Sequence, residues 1–271
     1  MKSLSLTIGV YNALVWRTGT ATIFGGIAWG WSGAERPTAK AMRLHLLRGG
    51  IAAAMTVLFF WGLARVPMAQ AISLTYIAPL LALLLGAVVL GERVGARVIG
   101  ASVAALGGVG VILFGQRSEA AGAQAFEGAL AILASSVLYS CNLIVARVQS
   151  QAARPAEIAF LQSAIVCAIL LLAAPWLLTL PPAGEWWKIV AGAGLATGSL
   201  LLLAWAYGHG ETGYLATTEY TSFVYAAVLG WLVFGEAVAT TTFVGAGIIV
   251  AACLYTARRR DVGEQSMEAA A

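Results

Sequence analysis

Charge is what this 271-residue chain has least of. Only 10% of its residues are Asp, Glu, Lys or Arg, against 60% hydrophobic, and the mean hydropathy is +0.85. A soluble domain carries roughly one quarter charged residues, so a water-soluble globule is excluded and lipid is the expected solvent. Histidine is scarcer still: His45 and His209 are the only two, both at the edges of apolar segments, and no HExxH occurs. That scarcity leaves an intramembrane enzyme without a deep histidine to pair with a metal or a serine. No catalytic residue, metal ligand or cofactor is therefore assigned, and the chain is not expected to be an enzyme. Cys141, Cys167 and Cys253 are odd in number and lack CxxC spacing, which argues against a structural disulfide. A ring of like charges or repeated filter loops, as a channel would use, is also missing.

What remains is apolar sequence in long pieces. A membrane helix needs about 20 mostly apolar residues to cross roughly 30 Å of hydrocarbon, and nine such stretches lie between charged or Pro/Gly-rich breaks: 8–31, 46–64, 69–90, 98–115, 128–147, 156–179, 188–208, 213–234 and 238–257. They are about twice the length of a barrel strand and lack strict alternation, so they read as helices. The fold class is thus an all-α polytopic membrane bundle, with a short polar tail after Arg258 and no cleavable signal peptide evident.

The few cations are unevenly placed. Arg36, Lys40, Arg43, Arg48, Arg93, Arg97, Arg147, Arg154 and Arg258 to Arg260 fall on one side of the nine spans, while Lys2, Arg65, Arg117 and Lys188 fall on the other. Cytoplasmic loops carry the excess of Lys and Arg, which puts the carboxyl end inside and the amino end outside. The net charge of +4 is accounted for as a topology signal and implies no nucleic-acid partner.

A shift of 144 positions lays the second half on the first. Gly91-Glu92 falls on Gly235-Glu236, Tyr76 on Tyr220, and Trp61 on Trp205. In each copy a long apolar helix ends at Gly-Glu and a small-residue-rich helix follows, VLGERVGARVIGASVAALGG against LVFGEAVATTTFVGAGIIVA. Glycine ends the first helix, the glutamate is expected to anchor the positive end of the next one, and the small residues permit close helix approach in lipid. Five spans separate equivalent points, so the second copy enters the bilayer upside down, and inverted repeats of this kind point to alternating access around a central cavity.

The segment Arg65-Val-Pro-Met-Ala-Gln-Ala-Ile, the Ala78-Pro79 pair inside a long helix, the Gly91-Glu92-Arg93 turn and the glycine-rich helix after it resemble the drug/metabolite transporter superfamily, EamA type. The resemblance covers residues 10–257 in two copies. It implies ten helices arranged five plus five, both ends cytoplasmic, and movement of small metabolites across the inner membrane. The implied layout is repeat 1 at 1–116 without its first helix, a loop at 117–127, repeat 2 at 128–257 and a cytoplasmic tail at 258–271. Subtracting 144 from 128–147 places the partner of that helix at −16 to 3. A late start codon, a fragment or a true nine-helix protein would each account for it.

Polar groups inside membrane helices are costly and tend to face the bundle interior, so each is a candidate. Glu219, flanked by Thr217, Thr218, Tyr220 and Thr221, is a proton-coupling candidate or else a structural acid satisfied by Arg17, hydroxyls or water. Arg17 either grips a substrate carboxylate as a fork or snorkels to the surface. Gln70, Tyr76, Tyr139, Asn142, Gln162, Trp205, Tyr220 and Tyr225 make an aromatic and polar set suited to amphipathic or planar metabolites. Pro79 is expected to kink its helix. The expected partners are the lipid bilayer, a small-molecule metabolite and protons as coupling ion, with amino acids or related compounds exported from the cell.

Overall fold

The structure, a computed structural model, describes residues 1–78, 80–82, 84–85, 96–118, 122–150, 152–209 and 221–257. Among them every regular element is helical: α1 Lys2–Ile8, α2 Val10–Trp31, α3 Ala39–Leu63, α4 Met68–Thr75, α5 Ala96–Ser118, α6 Gly122–Ser150, α7 Pro155–Leu171, α8 Ala174–Leu177, a single 3-10 turn Ala183–Glu185, α9 Trp186–His209, α10 Thr221–Phe234 and α11 Thr240–Ala257. The expected spans are recovered as helices in the described residues, with an added short α1 before the first. Gly9, at φ 80°, separates α1 from α2, in a conformation that residues with a Cβ resist. Stretches Ala39–Leu63 and Gln124–Ala146 are each long and apolar enough to cross a membrane.

Local chemistry sets the helix ends. The Thr38 hydroxyl accepts from the Ala41 N–H and opens α3, and Pro155 occupies the first turn of α7, where its missing N–H costs nothing. Two expected spans are interrupted, and for one reason. The 69–90 span breaks after Thr75, with Tyr76 and Ile77 out of helix before it resumes at Ala78. The 156–179 span breaks after Leu171 and restarts as α8. Proline cannot donate to the carbonyl four residues back and its ring crowds that carbonyl. Pro79 and Pro175 stand four residues beyond Thr75 and Leu171. Pro79 itself lies outside the described residues; the break in its helix is at Tyr76–Ile77.

The chain forms two compact units, one of Met1–Ala64 with Cys141–His209, the other of Arg65–Ser140 with Gly210–Ala271. Each unit takes a portion of both sequence repeats, and α6 runs through both. In the first unit Leu14, Val15, Ala52, Ala53, Val166 and Leu170 form an apolar core joining α2, α3 and α7, and Leu4, Ala13 and Ile189 join α1, α2 and α9. Large apolar side chains such as Trp31, Trp176, Leu180 and Leu195 point outward, as a lipid solvent requires.

Within each unit, helices that the 144-residue shift makes equivalent pack against one another in opposite directions. In the first unit Gly25 of α2 lies against the Phe160 backbone, Gly19 against Cys167, and the Tyr11 hydroxyl donates to the Leu170 carbonyl at 2.7 Å. Numbers rise on α2 as they fall on α7. In the second unit Gly108 of α5 meets the Gly245 backbone of α11, and Gly115 meets Thr241. α4 and α10, which come from the equivalent spans 69–90 and 213–234 although the shift carries α4 itself to 212–219, also run antiparallel, with Met68 beside Gly230 and the Tyr76 hydroxyl 2.7 Å from Ser222 Oγ. Antiparallel packing of equivalent helices is what an inverted repeat produces. It also explains the glycines: a Cβ on Gly245 would sit 2.5 Å from the Gly108 carbonyl oxygen.

Candidate functional site

The first unit holds a continuous chain of buried and half-buried polar side chains on α3, α6 and α7. His45 and Arg48, three residues apart, project from one face of α3. Asn142 and Gln149, seven apart, project from one face of α6, and Glu157 stands in the first turn of α7. Glu157 Oε1 is 2.9 Å from His45 Nε2, and Gln149 Nε2 is 2.6 Å from His45 Nδ1. Arg48 donates from Nη1 to Gln149 Oε1 at 2.6 Å and from Nε to Asn142 Oδ1 at 3.2 Å. The histidine is 1% exposed and Gln149 is fully covered.

Donor counting orders this chain. Arginine has only donors, so both amides must turn their oxygens toward Arg48. The Gln149 NH2 group then faces His45 Nδ1, which must accept. The ring proton is left on Nε2, aimed at the Glu157 carboxylate. Each of these four contacts then joins one donor to one acceptor, which is how a polar network is tolerated where water is scarce.

The candidates from the sequence are divided between the two units. In the first, Asn142 is held by Arg48. Arg17 lies deep in α2 with its guanidinium carbon 5.6 Å from the Phe60 ring centre, and its Nε is buried with no hydrogen-bond partner among the described residues. Gln162 Oε1 is buried and unpartnered in the same sense. In the second unit, Gln70 is buried beside a small cleft bordered by Pro67, Gly115, Ala237 and Thr241. Tyr76 is buried, bonded to Ser222, and its carbonyl accepts a weak 3.4 Å contact from Cys253 Sγ. Tyr139 lies half-buried on α6, whereas Tyr225 is 67% exposed on α10. Glu219 and Tyr220 lie outside the described residues, as do Gly91, Glu92 and the side chain of Trp205.

Glu236 reaches a helix far from it in sequence. Its Oε2 accepts from the Met68 N–H at 2.7 Å, so it caps the start of α4. Gly235, at φ 66°, ends α10 and turns the acid back. A Cβ on Gly230 would sit 3.0 Å from the same carboxylate oxygen.

His45, Arg48, Gln149 and Glu157 were not among the sequence candidates, since His45 reads as a boundary residue and Arg48 as a topology charge. The signal that finds them is positional: polar residues at i and i+3 on α3 and at i and i+7 on α6 share single helix faces.

The family profile described as "EamA-like transporter family" matches residues 1–114 and 126–258. The chain belongs to the EamA-like transporter family. It is 27% identical over 226 residues to a protein named pseudopaline exporter CntI from Pseudomonas aeruginosa, covering 82% of this chain and 77% of that one. It is 29% identical over 218 residues to a riboflavin transporter from Rhizobium johnstonii, covering 79% of this chain and 70% of that one. A solved crystal structure with 22% identity superposes with a TM-score of 0.62 over 93% of this chain and 89% of the other, which supports the fold. This EamA-like protein is accordingly an integral membrane transporter, an inverted-repeat helical bundle of the drug/metabolite transporter superfamily.

Proposed function

We propose that this transporter exports small amphipathic or aromatic metabolites bearing a carboxylate, amino acids or related compounds, across the inner membrane by alternating access. Arg17 is the observation that carries the reading. A guanidinium inside a membrane helix is expensive, yet among the described residues no carboxylate meets it, and its Nε is buried and unpartnered over the face of Phe60. A planar cation backed by an aromatic ring is suited to a bidentate carboxylate beside an apolar or aromatic body.

The antiparallel pairing of equivalent helices supports alternating access, with residues 1–116 and 128–257 read as the two repeats. The printed names of the relatives, an exporter and a riboflavin transporter, support a small-molecule cargo and, for the former, outward movement. The excess of Lys and Arg on one side supports a cytoplasmic carboxyl end. Gln162, Gln70, Tyr76, Tyr139, Asn142, Trp205, Tyr220 and Tyr225 remain the proposed binding set, with Glu219 as a proton-coupling acid.

The test is counterflow in proteoliposomes with labelled tryptophan, phenylalanine and riboflavin, each against its decarboxylated or carboxylate-free analogue where one exists. Saturable exchange of a carboxylate-bearing compound is expected in the wild type. Arg17→Gln should reduce it by about tenfold or more, the worth of one charge-assisted pair, while Arg17→Lys should keep only part of it. Equal exchange by wild type and Arg17→Gln would remove Arg17 from the site.

A further inference from the structure

We infer that Glu157 and His45 form a proton-binding site whose occupancy is transmitted to α6 through Gln149 and Arg48. The inference rests on the transporter reading for its purpose, since a bound proton can supply the driving gradient, but the site is defined by its own geometry.

Three observations carry it. The first is that the pair is buried yet has one opening: the His45 side chain is fully covered and that of Glu157 is 11% exposed. Water therefore approaches the pair from the carboxylate side. The second is that an ionised carboxylate 2.9 Å from the Nε2 of a neutral imidazole favours a further proton on the ring, and among the described side chains the rest of the shell is neutral apart from Arg48. The third is that the shell accepts only one arrangement. If His45 becomes imidazolium, Nδ1 gains a proton that points at the Gln149 NH2 group. To accept it, Gln149 must turn its oxygen to His45, and its NH2 then faces Arg48, a donor against a donor. One contact must break. Adding one proton to the ring thus releases either the His45–Gln149 or the Gln149–Arg48 link, and with it part of the tie between α3 and α6.

The described charged groups on the elements around α3 leave the pair otherwise undisturbed. Arg154, before α7, is engaged 3.1 Å from Glu35, with both side chains well exposed. Lys40 and Arg43 on α3 are exposed. Arg17 on α2 faces Phe60, fifteen residues further along α3, roughly 22 Å at 1.5 Å per residue. Lys2 on α1 follows Met1, which packs on the core of Leu14, Ala53 and Leu170, two turns beyond His45. On α6 the facing groups among the described side chains are the neutral amides of Asn142 and Gln149, the side chain of Arg147 lying outside the described residues. Because α6 runs through both compact units, loosening it from α3 in the first unit acts on a helix that continues into the second. A proton bound at His45 Nδ1, favoured by the Glu157 carboxylate on the Nε2–H, is the event that unlocks it.

Two histidines make the test direct. Full-length protein labelled with ¹⁵N-histidine in lipid nanodiscs should give two ring signals, His209 being assigned by its loss in His209→Gln. The expected result is a neutral Nε2–H tautomer for His45 at high pH that gives way to imidazolium on acidification. Glu157→Gln should lower its proton affinity about tenfold or more, the effect of removing an adjacent carboxylate. Arg48→Gln frees the Gln149 amide to turn and removes a nearby cation, and should raise the affinity. An Nδ1–H tautomer, no imidazolium at the most acidic pH at which the protein stays folded, or an unshifted midpoint in Glu157→Gln overturns the proton site. An unshifted midpoint in Arg48→Gln overturns the link to α6. The wild-type spectrum decides the tautomer and the titration without any variant needing to fold. No substrate enters the experiment, so failure of the cargo assignment and failure of the proton site give separate results.

Discussion

At the scale of single residues, partners decided roles that residue type alone left open. Arg17 and Arg48 are both arginines in membrane helices, but Arg48 is spent holding Gln149 and Asn142, while Arg17 keeps a buried nitrogen unpartnered among the described residues. Asn142 was legible as polar and buried. Its engagement by Arg48 was not, because the two residues are 94 positions apart and only packing joins them. Glu236 is the clearest residue-scale case. The Gly-Glu turn was visible in both repeats, yet the helix that the acid serves is α4, 168 positions away. Glu236→Ala should cost about 1 kcal/mol, as the loss of a helix cap does, and Glu236→Gln, whose amide oxygen can still accept, clearly less. Thermal unfolding of the purified variants, followed by circular dichroism, checks the order. Equal loss in both would mean that the charge, not the cap, is what matters.

At the scale of elements, proline and glycine carried most of the readable information. The breaks after Thr75 and Leu171 follow from proline four residues on, a rule that needs no tertiary structure. Helix starts at Thr38 and Pro155 are equally local. The small-residue stripe of α5 was legible as a packing surface, but not which glycine makes it. Gly108 and Gly115 meet α11, whereas Gly100, Gly107 and Gly110 have nothing within 4 Å of an added Cβ. The prediction is therefore selective. Gly245→Ala, whose methyl would press on the Gly108 carbonyl, should push α5 and α11 apart and lower the unfolding temperature by several degrees, at a cost of about 1 to 3 kcal/mol, as overpacking does. Gly110→Ala should be neutral or slightly stabilising, since alanine is the better helix former. The same melting assay separates them, and equal behaviour would refute the glycine contact as the reason for the close crossing.

At the scale of the whole molecule, the charge asymmetry makes a topological prediction. Ser266→Cys should react with a membrane-impermeant maleimide only when the cytoplasmic face is exposed, and Ala183→Cys only from outside, over the background of the three native cysteines. Labelling in the opposite sense would reverse the direction of transport argued from it. Solvent class, helical content and the inverted repeat were determined by the sequence itself. Scarce charge, long apolar runs and a 144-residue recurrence are properties of the chain read in order, and lipid leaves few other solutions for such a chain. The tertiary structure decided which equivalents meet. Each compact unit combines part of one repeat with part of the other, so α2 packs on α7 and α5 on α11, contacts that linear order does not state. It also decided that His45, a residue at the margin of an apolar run, closes on Glu157 and Gln149 from two other helices. The physical reason is the same in both cases: a polar group buried in a membrane bundle must find its partner, and only the packing of distant helices determines which one is within reach.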